Sequence, residues 1–363
     1  EKIMRLGDQS IQPEERLTRI YPEKNLFSHI IGQIDNDNNG ISGLEKSLDN
    51  VLKNSSKSIK LTVDKDIQFL IRDELIKFNE VFKTKGSAAV LMDVNNGQIL
   101  SLVSLPDFDP NKRKRITDVN FINRATKGVY EFGSVFKTFT LAAAFDQKII
   151  EPQTKFLDLP KSITCAGFPI REYDEKIPSD LTAEQILIRS GNIGSVRIGQ
   201  KIGIEKFKYF LKKLGLLDPI EFDILEVGKP LNFNWGKCKL ATISFGHGIT
   251  TTALHLSRAY AIISNGGYKV KPTLIKTSNI NKNDYQKVLN PNVSNQVNKV
   301  LRKVVESKNG TAGFANVSGY NVGGKTGTAQ KSIDGRYSNE KINTFVSIFP
   351  SDNPKYVLLV LLD

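Results

Sequence analysis

The chain of 363 residues is short of the residue types that build many sites. It has two cysteines, Cys165 and Cys238, too few for a disulfide framework or a Cys-rich zinc module. They read as two buried thiols, with one bridge as the alternative, because a bridge needs Cα atoms within about 7 Å and spacing alone does not supply that distance. The three histidines, His29, His247 and His255, show no HExxH-type spacing, which argues against a His-ligated metal and against a Ser-His-Asp triad. No metal or cofactor is expected, and any nucleophile here needs a different base. No apolar run reaches the roughly 18 residues that span a bilayer. Glu1 follows no secretion pattern, and the chain ends inside the apolar run Tyr356 to Leu362, so it reads as a processed or excised piece. Dense basic blocks are also missing. The net charge of +13 comes from lysines scattered through an Asn- and Ile-rich chain, so charge favours anionic surroundings without pointing to nucleic acid.

With 39% hydrophobic and 25% charged residues the composition is that of a globular protein. Residues 1–58 are polar and turn-rich, with too little apolar content for a core of their own. Within them Asp35-x-Asp37-x-Asn39-Gly40 opens like a calcium loop, but Lys46 stands where the bidentate Glu belongs. From Thr62, Asp64 precedes apolar residues at Ile67, Leu70, Ile71, Leu75 and Ile76, the spacing of an amphipathic helix capped by Asp64. Residues 88–92 and 99–103 flank Asn95-Asn96-Gly97-Gln98 as a hairpin, and 344–349 and 356–362 flank a Pro- and Asn-containing turn as a second one. The middle, 120–310, reads mainly as helices, clearest at 141–144, 183–188 and 254–263. Strands from both ends of the chain with helices between them predict an α+β fold, an antiparallel sheet assembled from distant segments.

Chemistry concentrates in three places. Gly133-Ser134-Val135-Phe136-Lys137 precedes an apolar helical run, so Ser134 and Lys137 share the first turn and one face. Burial disfavours an ammonium and a helix N-terminus adds positive potential, so Lys137 could take the Ser134 proton. The spacing alone is weak: Ser338-Asn339-Glu340-Lys341 repeats it in what reads as a polar loop, and for Ser134 and Lys137 the bland reading is an N-cap and a solvated lysine. Ser190-Gly191-Asn192 ends a helical stretch, and Lys325-Thr326-Gly327-Thr328 follows Gly323-Gly324; their bland readings are a polar helix stop and an edge strand with a solvent-facing lysine. Glycines there suit a strand that a substrate backbone must approach closely. Lys325 would depress the Lys137 pKa further, and the Thr326 and Thr328 hydroxyls would bind a substrate carboxylate.

S-x-x-K, S-x-N and K-T-G in this order form the penicillin-recognising serine acyltransferase set. The chain resembles the class B penicillin-binding proteins, peptidoglycan D,D-transpeptidases, most of all the division-specific (septal, FtsI-type) branch. Further matching segments are Thr62-x-Asp64-x-x-Ile67-Gln68, Ser104 to Asn111, Ser244 to Gly248, Ala259-Tyr260-Ala261 and Gly335-Arg336-Tyr337. Arg19-x-Tyr21-Pro22 and Gly43 to Lys46 match the family's N-terminal pedestal. The family's membrane anchor and first pedestal segment have no counterpart before Glu1, nor its terminal helix after Asp363.

The resemblance implies a penicillin-binding, serine beta-lactamase-like transpeptidase domain at 59–363, with helices on both sides of the sheet and part of a pedestal at 1–58. It implies Ser134 as nucleophile, Lys137 as base, and Ser190, Asn192 and Lys325 as proton-passing and orienting groups. Thr326, Gly327 and Thr328 would bind substrate, with the Ser134 and Thr328 N–H groups as oxyanion hole. Expected partners are peptidoglycan stem peptides, beta-lactams, a septal glycosyltransferase (FtsW-type), other division proteins, and the membrane through an anchor absent from this chain, but no nucleic acid. Work at the extracytoplasmic, periplasmic face of the inner membrane follows. The competing readings are an elongation-specific transpeptidase, a serine beta-lactamase, for which no motif supplies a deacylating water, and a penicillin-binding scaffold or sensor without turnover. His247 reads as a loop residue near the site.

Overall fold

The N-terminal segment is built from short pieces: α1 (Ser28–Ile31), α2 (Gly43–Ser47) and α3 (Asp49–Asn54). The computed structural model describes residues 18–112, 121–231, 234–236, 238–277, 284–333 and 336–363, together with 5, 7, 8 and 10. The segments Arg19-x-Tyr21-Pro22 and Gly43 to Lys46 meet, as Arg19 Nε lies 3.1 Å from Glu45 Oε1 and the Tyr21 hydroxyl donates to the same oxygen at 3.3 Å. The Asp35 carboxylate accepts the Asp37 and Asn39 N–H groups at 2.8 Å each, closing its own loop as an Asx turn. The segment docks on the stretch after the first hairpin, where Asn111 Nδ2 donates to Tyr21 O at 2.9 Å and Asn25 Nδ2 to Asp107 Oδ1 at 2.9 Å.

Helix α4 (Lys65–Phe82) starts as predicted, with Asp64 Oδ1 accepting the Asp66 and Ile67 N–H groups at 3.0 Å each. Leu75, Ile71 and Ile76 face the sheet, but Leu70 is 60% exposed, contrary to its predicted place on the buried stripe. The inward position goes to Gln68. Its amide donates to Leu26 O at 3.0 Å and Leu102 O at 2.9 Å, and its carbonyl accepts Ser101 Oγ–H at 2.7 Å and Leu102 N–H at 2.9 Å. A fully bonded glutamine is stable where an unpaired one would not be, and it links helix, strand and N-terminal segment.

The main sheet has five strands in the order β2-β1-β9-β8-β7, every pair antiparallel: β1 (Ser87–Asp93), β2 (Ile99–Leu105), β7 (Gly323–Ile333), β8 (Arg336–Phe349) and β9 (Tyr356–Leu362). Both predicted hairpins are present, and Ser87 pairs with Leu362, so the distant ends of the domain share a ladder. In the first turn only Gly97 has a positive φ, 77°, so one residue, not an Asn-Gly pair, supplies the left-handed step. Residues 338–341, predicted as a loop, lie in β8, where Lys341 pairs with Gln330. Backbone pairing needs no apolar alternation where strands extend past the core. Gly335 of the expected Gly335-Arg336-Tyr337 match lies outside the described residues.

Helices fill the middle: α5 (Lys137–Asp146), α6 (Ala183–Ile188), α7 (Asn192–Ile202), α8 (Ile204–Lys213), α9 (Lys239–Ser244), α10 (Ala253–Ser264) and α11 (Pro291–Glu306). Helix α4 covers one face of the sheet, and α10, buried along its whole length, backs the other with α5 behind it. Two small antiparallel pairs escaped the sequence reading, β3 (Lys155–Phe156) with β6 (Leu181–Thr182), and β4 (Ser162–Cys165) with β5 (Phe168–Arg171). The β4–β5 hairpin also overturns the reading of two buried thiols. It folds back against the start of α9 and joins Cys165 to Cys238 in a disulfide across a sequence separation of 73, with Cα atoms 5.8 Å apart. Among the described residues no helix is long and apolar enough to cross a membrane.

Candidate active site

The chain approaches the site through Phe132 and enters a 3₁₀ turn, Gly133–Phe136, that runs straight into α5. Ser134 therefore precedes the α-helix instead of sitting in its first turn; 3₁₀ geometry still stacks residues i and i+3, so it keeps Ser134 over Lys137. The turn lies hard against β7. A Cβ on Gly133, whose φ is +57°, would strike Thr328 O, and one on Gly327 would strike Phe132 O. The close approach at Gly327 in this structure is to the serine turn. From behind, the buried Tyr260 hydroxyl donates to Val135 O at 2.8 Å and lies 2.9 Å from Thr138 Oγ1.

Lys137 is 1% exposed. Its Nζ donates to Ser190 O at 2.5 Å, Asn192 Oδ1 at 2.7 Å and Ser190 Oγ at 3.2 Å. Ser190 sits between α6 and α7 with φ +57°, a left-handed conformation rare for a non-glycine residue, which presents both its carbonyl and its hydroxyl to the lysine. Strand β7 is the predicted edge strand, but Lys325 on it points inward and is fully buried. Its Nζ donates to Ser190 Oγ at 2.9 Å, Thr326 O at 2.9 Å and Thr311 Oγ1 at 3.4 Å. Thr326 and Thr311 share a hydroxyl hydrogen bond of 2.9 Å, and the exposed Thr328 donates to Asn343 Oδ1 at 3.0 Å.

The electrostatics follow from burial. Desolvation pulls Lys137 down to about 7, against the opposing field of Glu172. Lys325 falls well below the ordinary lysine range through its own burial and the nearby Lys137. The lysine–lysine repulsion suggested by the sequence is felt on Lys325. Two amines bonded to one hydroxyl in a dry site cannot both hold a proton cheaply. His247 lines a pocket with Asn192, Arg171 and the disulfide; burial and the Lys137 charge lower it to about 4, which keeps its ring neutral.

Residues 87–363 match the penicillin binding protein transpeptidase domain. The chain belongs to the penicillin-binding protein transpeptidase family. Its relatives place it with the class B penicillin-binding proteins. It is similar to the probable peptidoglycan D,D-transpeptidase FtsI of Caulobacter vibrioides, 32% identical over 374 residues, which cover 99% of this chain and 63% of that protein. It is similar to the probable peptidoglycan D,D-transpeptidase PenA of Neisseria meningitidis, 30% identical over 396 residues, 100% of this chain and 67% of that one. The chain thus spans about two thirds of the length of these curated relatives. Among solved structures, penicillin binding protein 3 of Mycobacterium tuberculosis complexed with aztreonam aligns with a TM-score of 0.86 at 28% identity, covering 95% of this chain and 84% of that one.

Within this penicillin-binding fold the three motifs converge as one site. The turn of Ser134 is wedged against Gly327 and Thr328, while Lys137, Ser190, Asn192 and Lys325 form a single hydrogen-bonded cluster. Sequence reasoning missed Thr311, which touches both Lys325 and Thr326 from the loop after α11, and Glu172, whose carboxylate faces the second motif. Neither carries a local signal, since one follows a helix end and the other lies in an ordinary polar stretch.

Proposed function

We propose that this chain is a peptidoglycan D,D-transpeptidase that cross-links stem peptides through an acyl-enzyme on Ser134. The observation that carries the reading is the Ser190 hydroxyl shared by two buried lysines beside the Ser134 turn. A lysine lowered to about 7 by burial is neutral often enough at neutral pH to act as a base. Lys137 takes the Ser134 proton as Oγ attacks the penultimate carbonyl of a D-Ala-D-Ala end. The new ester bond replaces the peptide bond, and the proton reaches the departing D-Ala amine through Ser190, with Lys325 holding that hydroxyl. An amine of a second stem then attacks the ester, forms the cross-link and frees Ser134. The Ser134 and Thr328 N–H groups form the oxyanion hole, where one donor is typically worth about 3 kcal/mol. Asn192 holds Lys137, and Thr326, Gly327 and Thr328 line the strand that receives the donor stem.

The septal branch is our reading of the subtype, supported by the likeness to a relative named FtsI and by the Lys325-Thr326-Gly327 form. With it go residues 1–58 as part of a pedestal and 59–363 as the transpeptidase domain. So do action on the extracytoplasmic face of the inner membrane beside an FtsW-type glycosyltransferase, and inhibition by beta-lactams. The aztreonam complex of a similar protein supports the last of these. Covalent labelling with a fluorescent penicillin, read by intact mass, tests the site: a long-lived single adduct that Ser134→Ala abolishes is expected. A folded chain that takes no label sinks the reading. Release of D-Ala from a stem-peptide donor, with and without an amine acceptor, then separates a transpeptidase from a sensor.

A further inference from the structure

Asn192 is the member of the cluster whose placement the motif itself does not explain. A carboxamide has a donor end and an acceptor end, and a flip would turn its NH₂ toward the Lys137 donor. Helix α7 begins at Asn192, and its cap residue is Gly191, which has no side chain to satisfy the first N–H groups. Both tasks fall to residues far away in sequence. The Arg171 carbonyl accepts Asn192 Nδ2–H at 2.8 Å, which leaves Oδ1 facing Lys137. The Glu172 carboxylate takes the Asn192 N–H on Oε2 at 2.6 Å and the Ile193 N–H on Oε1 at 2.9 Å. The Tyr173 hydroxyl donates to Arg189 O at 3.0 Å, one residue before Ser190. Three consecutive residues thus grip the segment 189–193 at successive points. They close the β4–β5 hairpin, Arg171 being the last residue of β5, and the hairpin is tied to the start of α9 by the Cys165–Cys238 bridge and, through the Glu172 N–H, to Lys161 O at 3.0 Å.

We infer that Glu172 is a positioning residue for the acyl-transfer step, holding Asn192 in register with Lys137 and supplying the negative charge that faces this lysine. The inference rests on the reading of Ser134 as nucleophile and Lys137 as its base. Among the described residues the charged and titratable groups that act on or feel Lys137 are Glu172 just after β5, Lys325 from β7 and the neutral His247 from the loop after α9. Glu172 is the acidic one, and its field raises the Lys137 pKa against burial. Removing that charge makes Lys137 a weaker base that is neutral at lower pH; removing the two caps loosens Asn192.

The test is the second-order rate of acylation by a beta-lactam from pH 5 to 9, measured by intact mass on the folded chain, for wild type, Glu172→Gln, Glu172→Ala, Glu172→Asp and the exposed control Glu175→Gln. Glu172→Gln is nearly isosteric and keeps one accepting oxygen, so it remains informative if Glu172→Ala does not fold. The expected result for Glu172→Gln is an acidic limb moved down by about half a pH unit or more, together with a plateau lower by about tenfold. Glu172→Asp should restore part of both, and Glu175→Gln neither. A purely structural role would lower the plateau and leave the midpoint in place. If either midpoint or plateau of Glu172→Gln matches wild type, the inference is overturned. Wild type and Ser134→Ala run alongside report on the nucleophile separately: an unlabelled wild type overturns that reading, and this inference with it.

Discussion

Ser134 and Lys137 have the same spacing as Ser338 and Lys341, and the two pairs have opposite fates. The first spans a 3₁₀ turn and the start of a helix, where residues three apart stack on one side, and its lysine is 1% exposed with three acceptors around Nζ. The second lies in β8, where side chains alternate, so residues three apart point to opposite faces. There the Ser338 hydroxyl accepts the Glu340 N–H at 3.2 Å and Lys341 is exposed. A spacing becomes a reactive pair only when the backbone period agrees with it and burial removes water from the amine.

The largest effect should separate the two lysines. Lys137→Ala should slow penicillin acylation by about a thousandfold or more, the worth of a general base, while Lys341→Ala should stay within about twofold. Equal losses in the two variants would break the contrast. Next comes proton linkage. Lys137 sits near 7 when folded against an ordinary 10.5, so between these values the unfolded chain binds more protons and stability rises with pH. Denaturant midpoints of wild type relative to Lys137→Met should therefore climb from pH 7 toward 10; a flat difference would mean that the lysine is not desolvated. Acylation should rise over an acidic limb centred near 7 for the same reason.

Smaller again is the disulfide that ties down the β4–β5 hairpin. A closed loop of this length, with 73 residues of separation, stabilises by up to about 4 kcal/mol in the chain-entropy account. Cys165→Ser with Cys238→Ser should lower the melting temperature and leave a labelled Ser134 adduct. A melting temperature equal to wild type would show that the bridge contributes little. The smallest effect belongs to Thr311→Val, which removes one hydroxyl from Lys325 and Thr326. A loss of about 1 kcal/mol, near fivefold in acylation rate, is expected from one hydrogen bond, and an unchanged rate would remove Thr311 from the site.

Much of this was legible in advance because the signals were local. Asp64 before an apolar stripe, Gly97 in a tight turn and the buried run after Lys137 each report on a few neighbouring residues, and each element is found in place. Leu70 was misplaced because helical periodicity ranks apolar residues without knowing that Ser101 and Leu102 offer Gln68 a complete set of partners. The strand at 338–341 was missed because its stabilisation is backbone pairing with β7, which leaves no apolar pattern. Nothing local marks Cys165 and Cys238 as a bridge, because their meeting depends on the path of the intervening chain.

The amino-acid sequence by itself determined the order of the three motifs, the family they resemble and the two hairpins that frame the sheet, since each is written in short-range spacing. The tertiary structure alone decided that Lys325 turns inward, that Ser190 adopts a left-handed backbone between two lysines, and that residues 171–173 reach across to hold the segment 189–193. Desolvation and hydrogen-bond direction set the chemistry of an amine or a carboxamide. Both depend on residues that are distant in sequence and adjacent only after folding.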